Sequence, residues 1–117
     1  MASDSLAQLT AQVRQFADER DWQQFHSPKN LASALIVEAA ELLEHFQWLS
    51  GPESEALEDE KRGNVELEMA DVLIYLVRLA DRLDIDLLDA AARKLVINAQ
   101  KYPVEQAKGS RRKYTER

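Results

Sequence analysis

A chain of 117 residues carries 21 acidic against 15 basic side chains, a net charge of −6, and no cysteine. The length excludes two independent cores, the missing thiols exclude disulfide staples and thiolate metal sites, and the charge argues against broad attraction to nucleic acid or an anionic membrane. With 45% hydrophobic residues but only three Gly and three Pro, the composition predicts one all-α globular domain over 1–117, with a core at about 5–103 and a basic tail at 104–117.

Helical periodicity opens at Ser5 to Arg20, where Leu6, Leu9, Val13, Phe16 and Ala17 form an i, i+3, i+4 series with Ser3 or Asp4 as cap. No basic n-region or apolar h-region precedes it, so a cytoplasmic location without a membrane partner is expected. Asp21 to Asn30 holds Trp22, Phe25, His26 and Pro28, a loop in which the proline stops helix and the aromatics either plug the bundle end or wall a pocket for a flat ligand. Asn30 then caps a second helix running to about Ser50, ended by Gly51-Pro52. The charged, weakly patterned segment Glu53 to Gly63 reads as a mobile loop or loose turn. A third helix runs from about Asn64 to Leu83 on the stripe Val65, Met69, Val72, Leu76, Leu79 and Leu83, with Leu67, Leu73, Ile74 and Val77 apolar elsewhere. Apolar cover on more than one side of that helix points to a subunit interface. After the turn at Asp84 to Asp86, a fourth helix continues through Leu87, Leu88, Ala91 and Leu95 until Tyr102-Pro103. The tail beyond is either a solvated end or a segment reaching over a phosphate-bearing ligand.

The chemistry lies in two acid pairs. At about 100° per residue, Glu38 projects into the stripe of Leu31, Leu35, Leu42 and Leu49, where a lone carboxylate costs several kcal/mol. It must protonate, find donors or cations, or bind metal. Glu38 and Glu41 on the second helix and Glu68 and Asp71 on the third repeat the i, i+3 spacing. Four carboxylates with only His26 and His45 nearby in composition make an oxygen-rich set suited to Mg²⁺, with Mn²⁺ a possible substitute, rather than Zn²⁺. Such a site can bridge phosphates and orient water. The rival accounts are a solvated acidic face, buried salt bridges to Arg78, Arg82 or Arg93, and a di-iron bundle; the last wants Glu-x-x-His motifs that are missing here. Trp22, Trp48 and Tyr75 can stack on a base, and Lys94, Asn98 and Lys101 form a donor row on the fourth helix.

The ordered set E-x-x-E (Glu38, Glu41), then residues 42–67, then E-x-x-D (Glu68, Asp71) resembles the signature of the MazG-like all-α nucleoside triphosphate pyrophosphohydrolases. The stretches Arg20 to His26, Phe46-Gln47-Trp48, Asp71 to Leu76, Lys94 with Ile97-Asn98 and Tyr102-Pro103, and Arg112 to Thr115 resemble the dCTP pyrophosphatase branch, so the likeness runs over about residues 13–115. It implies a four-helix bundle-like fold in a homo-dimer or homo-tetramer. It also implies hydrolysis of a nucleoside triphosphate, dCTP or a modified pyrimidine deoxynucleotide, to monophosphate and pyrophosphate. By the same resemblance Glu38, Glu41, Glu68 and Asp71 are metal ligands, with Glu38 or Glu41 also orienting water. Trp22, Gln23, Gln24, Phe25, His26, Trp48 and Tyr75 hold base and sugar, and Lys94 and Asn98 meet phosphates. Where close relatives carry a His on the first helix this chain has Val13, a lost donor that bears on base preference. The alternatives are a non-catalytic helical scaffold and an inactive nucleotide-binding relative.

Overall fold

The computed structural model describes residues 5–116. Among them the elements are helices α1 (Leu6–Glu19), α2 (Pro28–Glu44), α3 (Gly51–Ser54), α4 (Asp59–Arg82), α5 (Leu87–Lys101) and α6 (Val104–Ala107), with 3-10 turns at Trp22–Phe25 and Tyr114–Glu116. No strand is present among the described residues. The chain divides into two compact units between Asp84 and Ile85.

In the first unit α4 packs chiefly along α2 and also against α1. The residues shut from solvent are few: Ala17 from α1, Leu31 from α2, and Val65, Val77 and Ala80 from α4, with Arg78 the one charged residue among them. Val65 and Val77, twelve residues apart on α4 and both buried, point about 120° apart around the helix, which is how the longest helix can serve both neighbours. α1 starts at Ser5, whose hydroxyl accepts from the Gln8 amide at 3.1 Å; the expected caps Ser3 and Asp4 lie outside the described residues. Asp21 and Asp84, each following a helix, take left-handed φ values of 53° and 54°, a conformation that Asp tolerates better than most side chains.

Several boundaries differ from the pattern-based expectation. Pro28 does not lie in a loop but opens α2, and Ser27 rather than Asn30 is its cap, accepting from the Asn30 amide at 3.2 Å. Proline is suited to the first helical position because its missing N–H would have no partner there. α2 ends at Glu44, and Gly51-Pro52 begins a helix instead of closing one: Ser50 Oγ accepts from the Glu53 amide at 3.2 Å while Glu53 Oε1 accepts from the Ser50 amide at 2.9 Å. That reciprocal capping box nucleates α3. α4 begins at Asp59, earlier than Asn64, because Asp59 and Glu60 favour the positive end of a helix dipole even without an apolar stripe.

The second unit holds α5, capped by Asp86, whose carboxylate accepts from the Asp89 amide at 3.1 Å. Its chain then turns so that Tyr102 and Tyr114 meet edge to face at 6.0 Å, with the Lys101 ammonium 5.1 Å from the Tyr114 ring.

Candidate active site

Because α2 and α4 lie side by side, their i, i+3 acid pairs are brought toward one another. Carboxylate oxygens of Glu38, Glu41 and Glu68 lie within 4.8 Å of each other, and all three residues are half-buried. Glu38 Oε2 and Glu68 Oε2 are shut from solvent and accept no hydrogen bond. Burial, together with the facing carboxyls of Glu68 and Glu41, pushes the Glu38 carboxyl up to about 7. With that raised value the Glu38 carboxyl holds its proton well above the usual carboxylate range. A divalent cation would relieve its charge better, and two orphaned acceptors in an all-oxygen donor set suit a hard cation.

The salt-bridge account of these acids fails in detail. Arg78 donates from Nη1 to Asp81 at 3.3 Å and from Nε to His26 Nδ1 at 3.2 Å; Arg82 donates to the His26 carbonyl at 3.1 Å; Arg93 pairs with Asp89 at 2.9 Å. Each arginine that might have neutralised the cluster is bonded elsewhere.

Asp71 is exposed and is not part of the three-glutamate cluster. One turn beyond Glu68, it lines a cleft of about 460 Å³ together with Trp22, His26, Tyr75 and Arg78. The α1 residues Leu9, Gln12, Val13, Phe16 and Ala17 form its other wall, and Ile74 completes the α4 side. Phe16 meets the Trp22 ring edge-on at 5.7 Å and Trp22 meets His26 at 6.0 Å, so the aromatic loop is clamped onto α1. Burial, followed by the neighbouring Arg78 and Arg82 charges, holds the His26 imidazole below its usual range and hence neutral near pH 7.

Of the residues singled out in the sequence, Trp22, His26, Tyr75 and Asp71 thus share the cleft, and Glu38, Glu41 and Glu68 share the cluster. Gln23 is turned to the Asp18 carboxylate and Gln24 to the Asp21 carbonyl, so both brace the loop. Phe25 and Trp48 are outside the cleft lining, and Trp48 is 87% exposed. Lys94 and Asn98 lie one turn apart on α5 in the second unit, where the Asn98 carbonyl accepts from the Tyr102 amide at 2.8 Å. In the sequence Leu9, Phe16 and Ala17 read only as a core stripe, and Arg78 only as a rival ion-pair partner. The wall is recognisable only once α1 is seen leaning on α4.

A model of the MazG-like family matches residues 34–116, a span that includes all four acids. The chain belongs to the MazG-like family. Among curated proteins this MazG-like chain is similar to dCTP pyrophosphatase 1 of Rattus norvegicus, 48% identical over 104 residues, which is 87% of this chain and 61% of that protein. It is likewise similar to dCTP pyrophosphatase 1 of Homo sapiens at 47% identity over the same extent. It spans about three-fifths of the length of these curated relatives. Among solved structures a pyrophosphatase from Archaeoglobus fulgidus superposes with a TM-score of 0.81 at 42% identity, covering 88% of this chain and 96% of that one. α1 and the Trp22–Phe25 turn precede the residues that the MazG-like model matches.

Proposed function

We propose that the chain is a divalent-metal-dependent nucleoside triphosphate pyrophosphohydrolase that acts on dCTP or a modified pyrimidine deoxynucleotide and so sanitises the nucleotide pool. The observation that carries this reading is the cluster of three half-buried carboxylates with two orphaned oxygens, next along α4 to an aromatic cleft of nucleoside size. The dCTP pyrophosphatases among the relatives and the pyrophosphatase among the solved structures support it.

In this mechanism Glu38, Glu41 and Glu68 would hold the cation, and Asp71 would be a fourth ligand from the cleft side. Mg²⁺, or Mn²⁺ in its place, would neutralise phosphate charge and increase the acidity of a water. Glu38 or Glu41 would orient the attacking water and accept its proton; attack on the α-phosphorus breaks the bond to the bridging oxygen, and pyrophosphate leaves with the monophosphate remaining. Trp22 and Tyr75 hold the base between aromatic faces, and His26 bonds it from the cleft.

The whole chain acts as one domain in a homo-dimer or homo-tetramer. Ile36, Val37 and Leu43 on α2 and Leu67, Met69 and Leu73 on α4 are exposed, a large apolar surface for a single copy. No described helix is long and apolar enough to cross a membrane, and a cytoplasmic location without a nucleic-acid partner fits the composition. Incubation with a panel of nucleotides and Mg²⁺ tests the reading. Pyrophosphate release is expected; release of orthophosphate alone, or no turnover, overturns it.

A further inference from the structure

Arg78 is only 3% exposed and lines the cleft, yet its Nη2 is buried without a partner. A buried guanidinium nitrogen left unbonded costs stability, so a native chain tolerates it where something arrives to accept the bond. The rest of the group is fixed. Nη1 bonds Asp81, and Nε bonds His26 Nδ1, leaving Nη2 on the edge it shares with Nε, beside the imidazole. Because an arginine can only donate, His26 Nδ1 must be the unprotonated nitrogen, and the neutral ring carries its hydrogen on Nε2. The lowered proton affinity of His26 agrees with that tautomer.

Distance along α4 separates this corner from the acids. At about 1.5 Å per residue, Arg78 lies roughly 10 Å beyond Asp71 and 15 Å beyond Glu68, too far to share a phosphate held at the carboxylates and well placed for the base end of the same nucleotide. Val13, on the opposite wall, offers no hydrogen bond.

We propose that Arg78 is a specificity-determining residue, whose Nη2 donates to the ring carbonyl of the bound nucleobase while the His26 Nε2–H, set by Arg78, donates to an adjacent unprotonated ring nitrogen. This rests on the nucleotide reading of the cleft. Two neighbouring donors match the carbonyl and bare nitrogen of a cytosine-type base. Uracil and thymine place an N–H beside the same carbonyl and meet His26 donor to donor, so the corner rejects them.

The test compares wild type, Arg78→Met and Arg78→Lys on dCTP, dUTP and the base-free 2-deoxyribose 5-triphosphate, with Mg²⁺ present. Wild type is expected to prefer dCTP over dUTP. Arg78→Met is expected to lower kcat/KM for dCTP at least about tenfold, the loss of one charge-assisted hydrogen bond. Most of the loss should fall in KM, the base-free substrate should be unaffected, and Arg78→Lys should recover part of it. Equal treatment of dCTP and dUTP by wild type, or a uniform effect of Arg78→Met on all three substrates, overturns the proposal while the pyrophosphohydrolase reading stands. Absence of pyrophosphate release from any substrate by wild type overturns that reading instead. Should circular dichroism show Arg78→Met unfolded, the wild-type protein decides with dCTP and its C-nucleotide analogue bearing C–H in place of the C2 carbonyl. A drop of at least about tenfold in kcat/KM supports the contact, and equal rates overturn it.

Discussion

Two acids in the first unit meet opposite fates. Burial, together with two facing carboxyls, raises the proton affinity of Glu38 on α2; Asp81 on α4 is gripped by Arg14 at 2.8 and 2.5 Å and by Arg78 at 3.3 Å, and the Arg14 bonds above all hold it below the usual carboxylate range. The first is a charge problem that the chain leaves unsolved, and the second is one it solves internally. Unsolved charge marks where a ligand belongs, whereas solved charge marks what holds the walls in place.

Substitutions should separate the two kinds of acid. Glu41→Gln or Asp71→Asn is expected to lower pyrophosphate release by more than about a hundredfold, since losing groups that merely support metal ligands costs up to that much, with the helical dichroism unchanged. Full activity in either variant would show that the acid is not a ligand. Asp81→Ala should do the reverse to the fold, lowering stability in a urea titration by about 3 kcal/mol because Arg78 is left buried and unpaired. Arg14→Ala, which removes the partner that is 54% exposed, should lower stability far less than Asp81→Ala in the same titration.

Acidity separates them too. Glu38 has its folded value raised from 4.5 to about 7, so its contribution is full below 4.5 and lost as pH climbs through 7. The melting temperature of the metal-free protein should therefore fall between about pH 5 and pH 8, Glu38→Gln should flatten that slope, and Mg²⁺ should raise the midpoint at the alkaline end. Asp81 has its value lowered from 3.8, so its contribution is present above 3.8 and disappears as pH drops through the lowered value. The smallest effect expected is from Ser50→Ala, which removes the α3 capping box for about 1 kcal/mol or less.

Much of the helical frame was legible because Leu and Val repeat at helical spacing, and Glu38 stood out because periodicity put it among leucines. Which of the four acids converge was not legible: it depends on how α2 and α4 cross, and Asp71, spaced like its neighbour, faces the cleft instead. Nor could pattern reveal Pro28 and Gly51-Pro52 as helix openings, since proline breaks a helix at one position and begins one at another. Arg78 was hidden for a different reason. A single arginine in a charged chain says nothing until its three nitrogens are assigned and one is left over.

The wall that α1 contributes, Leu9, Gln12, Val13, Phe16 and Ala17, comes entirely before residue 34, whereas every acid of the cluster comes after it. The chain thereby writes one wall of the cleft and the carboxylate cluster in separate passages, while Tyr75 and Arg78 bring the facing wall from α4. A lineage can revise that α1 wall without touching the acids, changing what the cleft admits while the cluster stays as it is. A substitution at Val13, on that wall, is the kind of edit such an arrangement permits.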